Sequence, residues 1–154
     1  MLYYSYPQVV TQEVPGEISY AISISGCPLA CRGCHSAFTW KKDYGEPITP
    51  EVLEGLLADY IGLVSTVLFY GGEWERKSLI ELINKARDLG FKVCLYSGLD
   101  ICFFNEDFLR KLDFIKTGRF IKELGGLESN TTNQKFYVLE NGKIIKDITK
   151  EFHK

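Results

Sequence analysis

Cys27, Cys31 and Cys34 place three of the chain's five cysteines within eight positions, in the stretch GCPLACRGCH. Their spacing is C-x3-C-x2-C. Thiolates are soft metal ligands, and three in one short loop can converge on a single metal centre. A closed structural zinc site takes four ligands. No second cysteine pair stands at zinc-ribbon spacing here. His35 adjoins Cys34, which makes joint chelation of one tetrahedral ion awkward, and His153 would reach the loop only from far along the chain. A [4Fe-4S] cluster prefers four thiolates, so three local ones leave one iron open to water or a substrate. Catalytic metal sites keep such a position open. Zinc ligation and plain core packing of the thiols remain as alternatives.

The loop needs a scaffold, and the flanking patterns predict one. Ile18, Tyr20, Ile22 and Ile24 alternate in EISYAISIS, a period-2 strand that runs directly into the cysteines. Thr49 and Pro50 then read as an N-cap and first helical residue. Val52, Leu53, Leu56, Leu57, Tyr60 and Ile61 follow at helical spacing as a core-facing stripe. STVLFYGGE is a second strand, ending in a double glycine. RKSLIELINKARDLG is a second helix, with Leu79, Ile80, Leu82, Ile83 and Ala86 inside and Gly90 as its stop. FKVCLYSG is a third strand, NEDFLRKL a helix capped by Asn105, and DFIKTGRF a fourth strand.

Strands alternating with helices imply βαβ units and a mostly parallel sheet. Ligands of such folds bind at the C-terminal ends of the strands. Gly26, Gly71–Gly72–Glu73, Ser97–Gly98 and Thr117–Gly118 would then share one rim. A complete (β/α)8 barrel takes about 200 residues or more, so the 154 residues here predict a single domain, 1–154, forming a partial, open α/β barrel.

The composition narrows the partners. Hydrophobic residues make up 45% and charged residues 25%, and 18 basic against 20 acidic side chains leave a net charge of −2 without a basic stripe. Nucleic acid is not an expected partner. No apolar run approaches the ~20 residues of a membrane span, and the N-terminus lacks the basic and apolar regions of a secretory signal. A cytoplasmic protein is expected, where clustered cysteines read as ligands rather than disulfides.

C-x3-C-x2-C after a first strand resembles the signature loop of the radical S-adenosylmethionine (SAM) superfamily, and YGGEW resembles its GGE motif. GCHSAFTW and the later GRFIKELGGLESNTTNQKFY are similar to segments of the activating enzymes of anaerobic (class III) ribonucleoside-triphosphate reductase. The similarity runs from about Gly16 to Tyr137. It implies a barrel of the radical SAM type, an oxidoreductase with a [4Fe-4S] cluster on Cys27, Cys31 and Cys34, and SAM bound to the open iron. It further implies a 5′-deoxyadenosyl radical that takes hydrogen from a glycine of the large reductase subunit, with flavodoxin or ferredoxin as reductant. Trp74 stands where the family usually has Pro, and Ser36 where it commonly has Asn.

The resemblance also distributes roles. Gly71, Gly72 and Glu73, which alone would read as a strand-to-helix turn, become SAM-binding residues. Gly33, Cys34 and His35 would line SAM through the loop backbone, although His35 is equally well a solvated or capping side chain. Ser97 and Gly98 stand on the same rim, as a SAM contact or a plain turn. Cys94 and Cys102 read as small core hydrophobes, Trp40 and Trp74 as packing residues or covers for the cluster, and Asn133 and Gln134 as structural hydrogen-bonding groups. Two other functions stay open: an activase for a different glycyl-radical enzyme, such as a formate-lyase type, and a non-catalytic scaffold stapled by its metal. The former commonly carries an aromatic residue at the position of Gly33.

Overall fold

The computed structural model describes residues 1–29 and 41–153. Among these residues one sheet of eight strands runs in the order β3-β1-β2-β4-β5-β6-β7-β8. The strands are β1 Leu2–Val10, β2 Ser19–Ile24, β3 Glu46–Ile48, β4 Thr66–Tyr70, β5 Lys92–Tyr96, β6 Phe114–Thr117, β7 Lys135–Glu140 and β8 Lys143–Asp147. The centre, β2-β4-β5-β6, is parallel as expected. The flanks are antiparallel, so only three of seven pairings are parallel and the expectation of a mostly parallel sheet is corrected. At the flanks, a tight turn at Asn141–Gly142 joins β7 to β8 and the loop 11–18 joins β1 to β2, while β7 returns beside β6 after the longer segment 118–134 and β3 adds to the outer edge of β1.

Among the described residues three α-helices accompany the sheet: α1 Pro50–Leu57, α2 Arg76–Asp88 and α3 Glu106–Leu109. The Thr49 hydroxyl accepts from the Val52 amide and the Asn105 side chain from that of Phe108, so both expected N-caps are made. Gly90, at φ +95°, takes the left-handed conformation that ends α2. Leu53 and Leu57 of α1 are buried, whereas Val52 and Ile61 are exposed. The α-helix gives way at Ala58 to a 3₁₀ turn, and the change of pitch rotates Ile61 out of the stripe.

Alternation along the central strands separates two cores. Ile22, Phe69, Leu95 and Ile115 stand on the face that packs against Leu79, Leu82 and Ile83 of α2. Burial of each such side chain contributes about 1.5–3 kcal/mol. The opposite face carries Ala21, Leu68, Cys94, Phe114 and Phe136, packed with Val14, Leu127 and Ile148. Cys94 is fully buried there, and burial pushes its thiol pKa up. Cys102 is exposed in the 3₁₀ turn Ile101–Phe103, which corrects its reading as a core residue. No helix among the described residues is long and apolar enough to cross a membrane.

Candidate functional site

Cys27 is half-buried and lies just beyond the C-terminal end of β2. Cys31, Gly33, Cys34 and His35, with Ser36 and Trp40, lie outside the described residues. Among the described residues no group of three His, Cys, Asp or Glu side chains could hold a metal ion.

What surrounds Cys27 is a clamp built by the neighbouring strand ends. Trp74, just past β4, lays its ring against Gly26 and Gly71: a Cβ on Gly71 would meet its Cη2 at 2.6 Å. A Cβ on Gly98, past β5, would meet Leu29 Cδ1 at 2.2 Å, so the end of the Leu29 side chain packs against the bare Gly98 backbone. Past β6, Arg119 Nη2 donates to the Leu29 carbonyl at 2.6 Å. Asn133 in turn donates to the Arg119 carbonyl at 3.0 Å and Gln134 to that of Gly118 at 3.2 Å. The N-Q pair thus acts as the structural hydrogen-bonding group expected of it, on the turn that holds the cysteine segment.

Gly71, Gly72 and Glu73 are all buried. Gly71 and Gly72 have φ of +95° and +106°, which turn the chain from β4 into the 3₁₀ turn Glu73–Glu75 and bring Glu73 inward. Glu73 Oε1 accepts from the Ser97 hydroxyl at 2.9 Å. Oε2 is buried and has no hydrogen-bond partner among the described residues. Burial raises the Glu73 pKa above its ordinary 4.5; its own amide, the Ser97 hydroxyl, the Lys116 charge and the Gly98 amide pull the other way. A carboxylate oxygen buried without a partner is costly. It fits a ligand that brings a donor, such as an amino group.

Ser97 is brought to this site as expected, yet its hydroxyl is engaged within the protein. It donates to Glu73 and accepts from the Leu99 amide at 3.0 Å. Its place is behind the carboxylate.

The cysteine spacing and GGE stretch did not point to the face below this rim. Ser23, Tyr70, Tyr96 and Lys116 are successive cross-strand neighbours at the upper ends of β2, β4, β5 and β6. All four line a cavity of about 1060 Å³ on the face opposite α2, closed in part by Glu13, Leu127, Gln134 and Phe152. Tyr70 and Tyr96 meet edge to face at 5.3 Å, and the Tyr96 hydroxyl donates to the Glu13 carbonyl. Burial pushes both phenols far up in pKa, so they remain protonated donors. One sequence signal for this face existed: Lys116 is an ionisable residue inside the otherwise apolar run FIK of a central strand.

A family model for the 4Fe-4S single cluster domain matches residues 15–140. Two proteins named anaerobic ribonucleoside-triphosphate reductase-activating protein, from Salmonella typhi and Salmonella typhimurium (strain LT2), are each 34% identical over 59 residues. That stretch covers 38% of this chain and 38% of each relative, so the match spans well under half of the curated relatives' length. No solved structure matches the chain. The family match takes in Cys27, the Glu73 turn, Ser97, Lys116 and Arg119: the chain belongs to the 4Fe-4S single cluster domain family.

Proposed function

We propose that this protein is a radical SAM activase that installs a glycyl radical on the large subunit of an anaerobic ribonucleoside-triphosphate reductase. The single observation that carries the reading is the buried, half-satisfied carboxylate of Glu73 on the same rim as Cys27. Cys27, Cys31 and Cys34 would hold the cluster, with SAM on the open iron. When bound, cluster and SAM would supply one-electron reductive cleavage of the SAM sulfonium to methionine and a 5′-deoxyadenosyl radical able to take hydrogen from a glycine Cα. Flavodoxin or ferredoxin would deliver the electron.

The chain's own part is binding and shape. Glu73 Oε2 offers an acceptor to the SAM amino group, and the positive φ of Gly71 and Gly72 turns the chain so that the carboxylate points inward. Trp74, Gly98 and Arg119 seat the cysteine segment, so that cluster and Glu73 keep a fixed relation. The cavity below the rim, with its tyrosine hydroxyls and the polar ends of Gln8, Gln12 and Gln134, gives hydrogen-bonding room for a peptide segment next to SAM. The relatives' printed name and the 4Fe-4S family favour this reading over an activase of another glycyl-radical enzyme. A metal-stapled scaffold would have no use for an unpaired buried carboxylate.

The test mixes reconstituted protein, SAM and a one-electron reductant with the large subunit of an anaerobic ribonucleotide reductase under strict anaerobiosis. A glycyl-radical resonance is expected, and it should vanish when the target glycine is changed to alanine. A protein that cleaves SAM yet leaves that subunit without a radical would redirect the reading to another glycyl-radical partner.

A further inference from the structure

Lys116 is only 8% exposed, in a strand whose neighbours Phe114 and Ile115 are apolar. Burying an ammonium is expensive unless its donors are met. Nζ donates to the carbonyls of Ser97, at 3.1 Å, and Gly118, at 2.9 Å. The Ser97 amide donates back to the Lys116 carbonyl at 2.8 Å. One residue therefore grips both main-chain polar groups of Ser97. The Ser97 hydroxyl has a single proton. The Leu99 amide occupies its acceptor side, so that proton is directed to Glu73 Oε1.

We propose that Lys116 is a positioning residue for Glu73, acting through Ser97. It fixes the Ser97 backbone, Ser97 fixes one oxygen of the carboxylate, and the other oxygen is left presented to the ligand. The ammonium's charge also acts on Glu73, while Arg76 Nε of α2 donates to the Glu73 carbonyl at 3.3 Å. An apolar side chain at position 116 would cost less to bury, but it would leave the Ser97 and Gly118 carbonyls without this donor. The inference rests on the reading of Glu73 as the group that binds the SAM amino group.

The test is a double-mutant cycle on SAM binding, measured by equilibrium dialysis with the cluster-loaded full chain. Ser97→Ala and Lys116→Met should each weaken SAM binding roughly tenfold, the value of one hydrogen bond to a charged group, with iron per chain unchanged. In a Glu73→Gln background neither change should weaken binding further. Additive losses in the double variants, or single variants that bind as the wild type does, would overturn the proposal. If Lys116→Met does not fold, Lys116→Gln takes its place in the same cycle, with the same outcomes expected and overturning. A wild-type chain that holds its cluster but binds no SAM would instead overturn the functional reading, and this inference with it.

Discussion

The indole Nε1 of Trp74 lies 3.1 Å from the point where a Cβ on Gly26 would stand. The same ring reaches into the space of the missing side chain at Gly71, so one residue locks the entry of the cysteine segment to the exit of β4. Gly26 has φ +104°, and Lys42 Cα closes its other side at 3.4 Å from that point. Gly26→Ala therefore meets both a strained backbone, worth about 1–2 kcal/mol, and a fixed indole. The variant is expected to fold but to take up markedly less iron on reconstitution, read as iron and sulfide per chain. Trp74→Ala should lower stability by about 2–3 kcal/mol, below the range for a fully buried tryptophan, and should likewise loosen the cluster.

Arg119 reaches Leu29 from the other side of the rim. Arg119→Met keeps the aliphatic stem and removes the bond. Because the guanidinium is exposed, the stability cost should be small, about 1 kcal/mol. The larger expected effect is on cluster retention: iron should pass to a chelator several times faster than from the wild type. An unchanged release rate would show that the Leu29 tether is incidental.

Glu73 sets a pH dependence whose sign follows from its raised pKa. Above the ordinary 4.5 the unfolded chain has lost this proton while the folded chain still holds it, so stability falls as pH rises from there through the folded-state value. Below 4.5 both states are protonated and the penalty is absent. Ligand-free Glu73→Gln should therefore be more stable than the wild type near neutral pH, and the gap should close under acid, as followed by denaturant titration. SAM binding should show the converse, weakening as pH falls through the same window, because only the ionised carboxylate offers both oxygens as acceptors.

Asn105 caps α3 by accepting from the Phe108 amide at 2.8 Å. Asn105→Ala should cost about 1 kcal/mol in thermal unfolding and leave SAM binding untouched, which separates a local fold effect from the site.

The parallel centre was legible because period-2 and period-3.6 patterns alternate cleanly from Ile18 to Thr117. The flanks were not. In β1, Tyr6 adopts φ +49° before Pro7 and the register slips between Ser5 and Gln8, which breaks the alternation a strand would display. In β8 every residue is exposed, so no face carries an apolar signal. At the site, Glu73 and Cys27 stand out by motif, and their sharing of a rim follows from the strand ends. The direction of the Ser97 hydroxyl and the grip of Lys116 depend on which groups meet across β5 and β6, and spacing along one strand carries no trace of that.

The most direct test of the account is the formation of 5′-deoxyadenosine by the anaerobically reconstituted protein given SAM and dithionite, beside Cys31→Ala and Glu73→Gln. The account predicts product from the wild type, none from Cys31→Ala, and a rate lowered by about tenfold or more in Glu73→Gln, in proportion to one lost charged hydrogen bond. A wild-type protein that carries about four irons per chain and forms no 5′-deoxyadenosine, even with the large reductase subunit present, would contradict it.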